Sequence, residues 1–176
     1  MSSKSFSLQP FNSQANVNIS GHISREADDL AIKYTLVGNL TELVIPELTN
    51  KPTRRNELWE NTCFEFFLGV KDTPQYWEFN LSPSSNWNVY RFNNYRQGME
   101  EETAFTFLPF LIEQNETSLN LSLKLGLSLI VNTNEIIEIA IATVTKFKNN
   151  QITYWALTHP QKEADFHHRD SFKILL

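Results

Sequence analysis

The sequence predicts an all-β protein: a β-sandwich of two antiparallel sheets, jelly-roll or immunoglobulin-like, with about ten strands. Three observations point there. Short runs alternate apolar and polar residues with period two. Ser118 to Leu125 is the clearest, with four leucines (Leu119, Leu121, Leu123, Leu125) set against Ser118, Asn120, Ser122 and Lys124. Turn-forming clusters separate the runs, among them Gly38-Asn39, Asp72-Thr73-Pro74, Pro83-Ser84-Ser85-Asn86 and Asn149-Asn150. Helical periodicity competes only over Leu125 to Val131.

The chain has 176 residues, 41% of them hydrophobic, which suits one domain with a real core spanning residues 1–176. Residues 1–14 read as a flexible or edge segment. Asn16 to Ser24 alternates, Leu30 to Val37 returns, and Leu43 to Ile45 is a short apolar run stopped by Pro46. A polar loop follows, in which a surface position accounts for the adjacent pair Arg54-Arg55. Beyond the centre of the chain, Glu100-Glu101-Glu102 reads as a solvated turn. Ala104 to Leu108 and Phe110 to Glu113 are expected as strand on both sides of Pro109, a proline that marks an edge or a bulge. Ile136 to Thr145 is a strong β run, Ile152 to Leu157 returns through a hairpin, and a short apolar strand ends the chain.

The organising stretch is Leu58 to Met99, which holds Trp59, Trp77 and Trp87. Cys63–Leu68, Tyr76–Leu81 and Trp87–Phe92 form a three-stranded meander. Alternation assigns Phe64, Phe66, Leu68, Trp77, Phe79, Leu81, Trp87 and Val89 to a core face. The opposite face carries Glu65, Phe67, Tyr76, Glu78, Asn80, Asn88 and Tyr90. A solvent face would favour Thr, Lys and Ser; this mixture of rings and polar groups suggests a binding surface. The expected register sets Glu65 opposite Glu78 and Phe79 opposite Val89. Two facing carboxylates repel, so they need Arg91, Arg96, a bound cation or a ligand's hydroxyls.

Composition excludes several functions. A net charge of −5 and a pI near 5.4 argue against nucleic acid as a partner. No apolar leader precedes the first strand and no segment is long enough to span a membrane, so a cytoplasmic protein without membrane contact is expected. Cys63 is the single cysteine and cannot form an intrachain disulfide. The 5 glycines form no phosphate-cradling loop, and neither HExxH nor GxSxG occurs. No catalytic signature is present; the protein reads as a non-enzyme.

Taken together, Leu58-Trp59 with Thr62 and Glu65, the run Tyr76 to Pro83 (YWEFNLSP), Trp87 with Tyr90 and Phe92, Tyr95-Arg96 with Gly98-Met99, and the tail His159-Pro160, Asp165 to His167 and Ser171-Phe172 resemble the DOMON-like domains, which are related to the family 9 carbohydrate-binding modules. The resemblance is nearest to a bacterial, cyanobacterial branch of small single-domain proteins and covers nearly the whole chain from Val17. It implies a two-sheet sandwich that binds a ligand on one face without catalysis. Relatives with Asp where this chain has Thr62 are common, which weakens any metal role there. Under this resemblance the expected ligand is a carbohydrate or a similar polar small molecule. Glu65, Tyr76, Glu78, Asn80, Trp87, Tyr90, Arg91, Tyr95, Arg96, His159 and His167 supply stacking and hydrogen-bonding groups, in a pocket formed by the Trp87–Arg96 segment and the tail. Two alternatives stand beside it: a haem-binding, cytochrome-like domain with Met99 and His159 (or His167 or His168) as axial ligands, and a protein-interaction module without a small ligand.

Overall fold

The structure is a computed structural model that describes residues 2–12 and 16–176. Thirteen strands occur among these residues: β1 (Ser2–Ser7), β2 (Gln9–Pro10), β3 (Val17–Glu26), β4 (Asp29–Gly38), β5 (Cys63–Val70), β6 (Tyr76–Leu81), β7 (Trp87–Phe92), β8 (Glu100–Glu101), β9 (Phe110–Gln114), β10 (Ser118–Gly126), β11 (Ile137–Lys146), β12 (Ile152–Ala156) and β13 (Ile174–Leu175). They form two antiparallel sheets. The smaller runs β1-β3-β4-β10-β9. The larger runs β2-β12-β11-β5-β6-β7-β8, with β13 added beside β11.

Alternation explains how the sheets stack. Ile19, Ile23, Ile32, Leu36, Leu119, Leu121 and Leu123 of the small sheet meet Phe64, Phe66, Leu68, Phe79, Val89, Ile139 and Ile141 of the large one. Every residue assigned to the core face of the meander lies in this core, Trp77 and Trp87 included. Burying a Leu, Ile or Phe side chain contributes about 1.5–3 kcal/mol, so this layer dominates the stability. Tyr34 ties the sheets together: its buried hydroxyl donates to the Glu65 carbonyl at 2.8 Å.

Four expectations are corrected. The β5–β6 register is shifted by two residues, so that Glu65 faces Asn80 and Glu78 faces Phe67. The shift conserves parity, and therefore every face assignment; Phe79 still faces Val89. A longer connection from Val70 to Tyr76, with Asp72 in the left-handed region at φ 62°, accommodates it. Second, Ala104 to Leu108 is not strand. It runs as a loop that buries Phe105 and Leu108, and β9 begins only after Pro109, at the edge of the small sheet. Third, the glutamates at 100–102 are not a free turn. Glu100 and Glu101 pair with β7, and Glu102 accepts the Trp77 indole N–H at 3.0 Å. Fourth, Arg54 is no idle surface residue. It donates to Asn88 Oδ1 at 2.6 Å and to the Glu102 and Phe105 carbonyls at 2.8 and 2.7 Å, and it lies over the Trp87 ring at 4.5 Å.

The N-terminal segment lies at edges: β1 borders the small sheet and β2 borders the large one, while positions 1, 13 and 14 fall outside the described residues. Leu43 makes only an isolated bridge to Phe147, and residues 127–131 make a single helical turn.

The last segment crosses the outer face of the large sheet. Arg169 fixes it there, donating to Glu138 Oε2 at 2.9 Å and to the Val70 carbonyl at 2.7 Å. Its guanidinium lies directly on Gly69, where any Cβ would collide with it. Gly69→Ala is therefore expected to expel Arg169 from both contacts and cost about 1–3 kcal/mol in urea unfolding. An unchanged midpoint would show that this anchor does not hold the segment.

Candidate functional site

The outer face of the large sheet is not a solvent face. Phe67, Tyr76, Tyr90, Phe92, Ala140, Ala142, Val144 and Ala156 form a second apolar cluster, closed by Phe166 and Phe172 of the crossing segment and by Trp59. Between sheet and cover lies a pocket of about 460 Å3. Its walls are the rings of Trp59, Phe67, Phe92, Tyr154 and Phe166, with Met99 and Val144; its polar groups are Glu65, Glu78, Arg96 and His167.

Strand geometry explains the floor. Glu65 and Phe67 alternate on β5, Glu78 and Asn80 on β6, and Asn88 and Tyr90 on β7, all toward the same side. Glu65 is 2% exposed, and its Oε1 has no hydrogen-bond partner. Glu78 is 5% exposed; it accepts from Asn80 Nδ2 at 2.8 Å and faces His167 Nε2 at 3.8 Å. Burial raises the Glu65 carboxyl well above the usual range, and the neighbouring Glu78 charge raises it further. Burial also pushes Glu78 up to about 7, against the hydrogen bond from Asn80 and the charge of Arg96. His167 moves the other way, down to about 4, through burial and then the charge of Arg96. At neutral pH its ring is therefore uncharged. The Tyr76 hydroxyl accepts from the Arg96 backbone N–H at 3.1 Å and shares a hydrogen bond with His167 Nδ1 at 2.9 Å.

The rim is charged and balanced. Arg96 pairs with Asp165 at 2.9 Å, and the Tyr95 hydroxyl donates to the same carboxylate at 2.6 Å. Against the penalty of burial, these bonds hold Asp165 below the usual carboxylate range. Arg96 sits at φ 51°, a left-handed conformation that the tight turn from Asn93 to Gln97 imposes.

Of the residues singled out in the sequence, Glu65, Glu78, Arg96 and His167 line the pocket. Tyr76 and Asn80 support them from the floor, Tyr90 packs under Trp59, and Tyr95 sits at the rim. Three candidates lie elsewhere. Trp87 is in the core between the sheets, since its parity on β7 is that of Val89. Arg91 shares that parity and pairs with Glu100 at 2.8 Å at the sheet edge, away from the carboxyl pair. His159 lies at the β2 edge, with Nε2 at 2.8 Å from the Gln9 carbonyl and its ring against Phe11. The structure therefore does not bring His159 and Met99 together as an axial pair: Met99 lines the pocket and His159 does not. The sequence reading left out Phe92, Val144, Tyr154 and Phe166 as pocket walls. Alternation could have found Phe92, which shares the parity of Tyr90; the others required the β11–β12 pairing and the path of the tail.

Fold and site together define a two-sheet β-sandwich with a pocket on the outer face of its larger sheet. No family model matches the chain, and no curated protein matches it. Solved structures do share its fold. One is a supposed carbohydrate-binding protein from Bacteroides uniformis ATCC 8492, with TM-score 0.71 and 13% identity over 96% of this chain and 84% of that one. Another is a family 9 carbohydrate-binding module from Caldicellulosiruptor kristjanssonii in complex with cellotriose, with TM-score 0.56 and 9% identity over 90% and 74%. A complex of such a module from the same organism with glucose gives TM-score 0.52 and 9% identity over 86% and 72%.

Proposed function

We propose that this chain is a non-catalytic, single-domain carbohydrate-binding module, related to the DOMON-like domains, and that the pocket over Glu65 and Glu78 is its ligand site. The observation that carries this reading is a buried carboxyl with an unpartnered oxygen inside an aromatic-walled pocket. Ring faces suit the C–H faces of a pyranose, while a carboxyl can donate to or accept from its hydroxyls. The shared fold supports the same conclusion, since neighbours at this level of likeness were solved with glucose and cellotriose.

Titration calorimetry with a panel of mono- and oligosaccharides tests the reading. At least one sugar is expected to bind, and Trp59→Ala is expected to weaken it about tenfold or more by removing one wall of the pocket. Binding that Trp59→Ala leaves untouched would move the site elsewhere; a panel without any binding would remove the carbohydrate reading.

A further inference from the structure

Glu65 and Glu78 lie buried on one floor, and among the described residues no arginine or lysine forms an ion pair with either; the charge of Arg96 acts on Glu78 from beyond ion-pair distance. The titratable and charged neighbours can be named element by element. On β5, Cys63 is itself buried and uncharged, and across the core Tyr34 binds only the Glu65 backbone carbonyl. On β6 and β7, Tyr76 and Tyr90 are phenols pushed up to about 12 by burial. From the covering segment, His167 presents a neutral ring, and Asp165 is taken by Arg96 and Tyr95. Among the described residues Arg96 is the one arginine or lysine lining the pocket, and its guanidinium is turned to Asp165. The other arginines around this face are committed elsewhere: Arg91 to Glu100, Arg54 to Asn88 and the Glu102 and Phe105 carbonyls, and Arg169 to Glu138. Aromatic faces complete the walls, and such faces attract cations.

We propose that the saccharide taken by this pocket carries a free ammonium group, with Glu65 and Glu78 as its counter-ions and Trp59 and Phe67 as flanking rings. The inference rests on the carbohydrate reading above and narrows it to cationic amino sugars. In the empty pocket a proton compensates the carboxyl pair; in the complex the ligand's ammonium replaces it, and the proton leaves to solvent. Uptake of the ammonium is therefore coupled to proton release. Affinity rises with pH as the pair ionises and falls again once the ligand's own amine loses its proton.

Titration calorimetry at pH 7 with glucosamine, glucose, N-acetylglucosamine and choline decides the matter. Glucosamine is expected to bind about tenfold or more tightly than glucose or N-acetylglucosamine, as hydrogen bonds to a buried charge require. Its binding enthalpy is expected to change with the ionisation enthalpy of the buffer, reporting the released proton. Glu65→Gln and Glu78→Gln, each checked for native unfolding, are expected to bring the glucosamine-to-glucose ratio close to one. If glucose binds as well as glucosamine, the ammonium inference fails and the carbohydrate reading stands. If choline alone binds, or if no probe binds and the wider saccharide panel fails as well, the carbohydrate reading fails and takes this inference with it.

Discussion

Replacing Arg54 with alanine is expected to destabilise the protein by about 3 kcal/mol or more, the cost of leaving several partly buried acceptors unpaired at once. The residue belongs to a loop, but its guanidinium acts as a clamp. One edge serves Asn88 Oδ1 and the Val89 carbonyl; the other serves the carbonyls of Glu102 and Phe105. Its planar face covers Trp87, whose ring belongs to the core. Two segments, β7 and the 102–105 stretch, converge on a single side chain, so lysine cannot replace it: a single ammonium presents no planar fork and no stacking face. Urea unfolding should show Arg54→Lys recovering only part of the loss. A midpoint for Arg54→Ala within about 0.5 kcal/mol of the parent would mean that water satisfies these acceptors, refuting the clamp.

The second large effect is a pH dependence of stability that Glu78 governs. Its folded value near 7 exceeds the ordinary 4.5, so the folded protein keeps a proton that the unfolded chain gives up. Stability is then fully present below about pH 4.5 and is lost as pH rises toward 7, by about 3 kcal/mol for a shift of this size. Glu65, also raised, adds loss in the same direction. His167 opposes them at the acid end. Its folded value near 4 lies below the ordinary 6.5, so its contribution is present above pH 6.5 and is lost as pH falls to 4. Between pH 4.5 and 6.5 the signs conflict, and the two carboxyls outweigh the single imidazole. Above pH 6.5 only the carboxyl loss continues. Glu78→Gln keeps an acceptor for Asn80 and removes the ionisation. The variant is expected to match the parent near pH 5 and to exceed it by about 2–3 kcal/mol at pH 8. Parallel stability curves for the two proteins across this range would show that Glu78 does not hold its proton in the fold.

Both effects arise from side chains whose partners are distant in sequence, and this divides what the chain determines locally from what it does not. Period-two alternation is a local property of the sequence. It was enough to set Phe64, Phe66, Leu68, Trp77, Phe79, Leu81, Trp87 and Val89 on one face and Glu65, Phe67, Tyr76, Glu78, Asn80, Asn88 and Tyr90 on the other, because a strand turns successive side chains to opposite sides whatever its neighbour does. The sandwich architecture followed from the same pattern, and so did the joint placement of Glu65, Glu78, Asn80, Asn88 and Tyr90 on the face away from the core.

Register is different. A shift of two residues leaves every face unchanged, so the pattern could not separate Glu65 opposite Glu78 from Glu65 opposite Asn80. The length and left-handed geometry of the Val70–Tyr76 connection decided it. Tertiary packing also decided which polar groups meet. Arg91 and Trp87 are neighbours in sequence of Tyr90, yet parity sends them to the other side of the sheet. Arg96 and His167, seventy-one positions apart, meet because Arg169 anchors the final segment across β5 and β11. The pocket is therefore a product of the fold. Its floor can be read along three strands, but its walls and the isolation of its two carboxyls exist only once the tail crosses the sheet and excludes water from them.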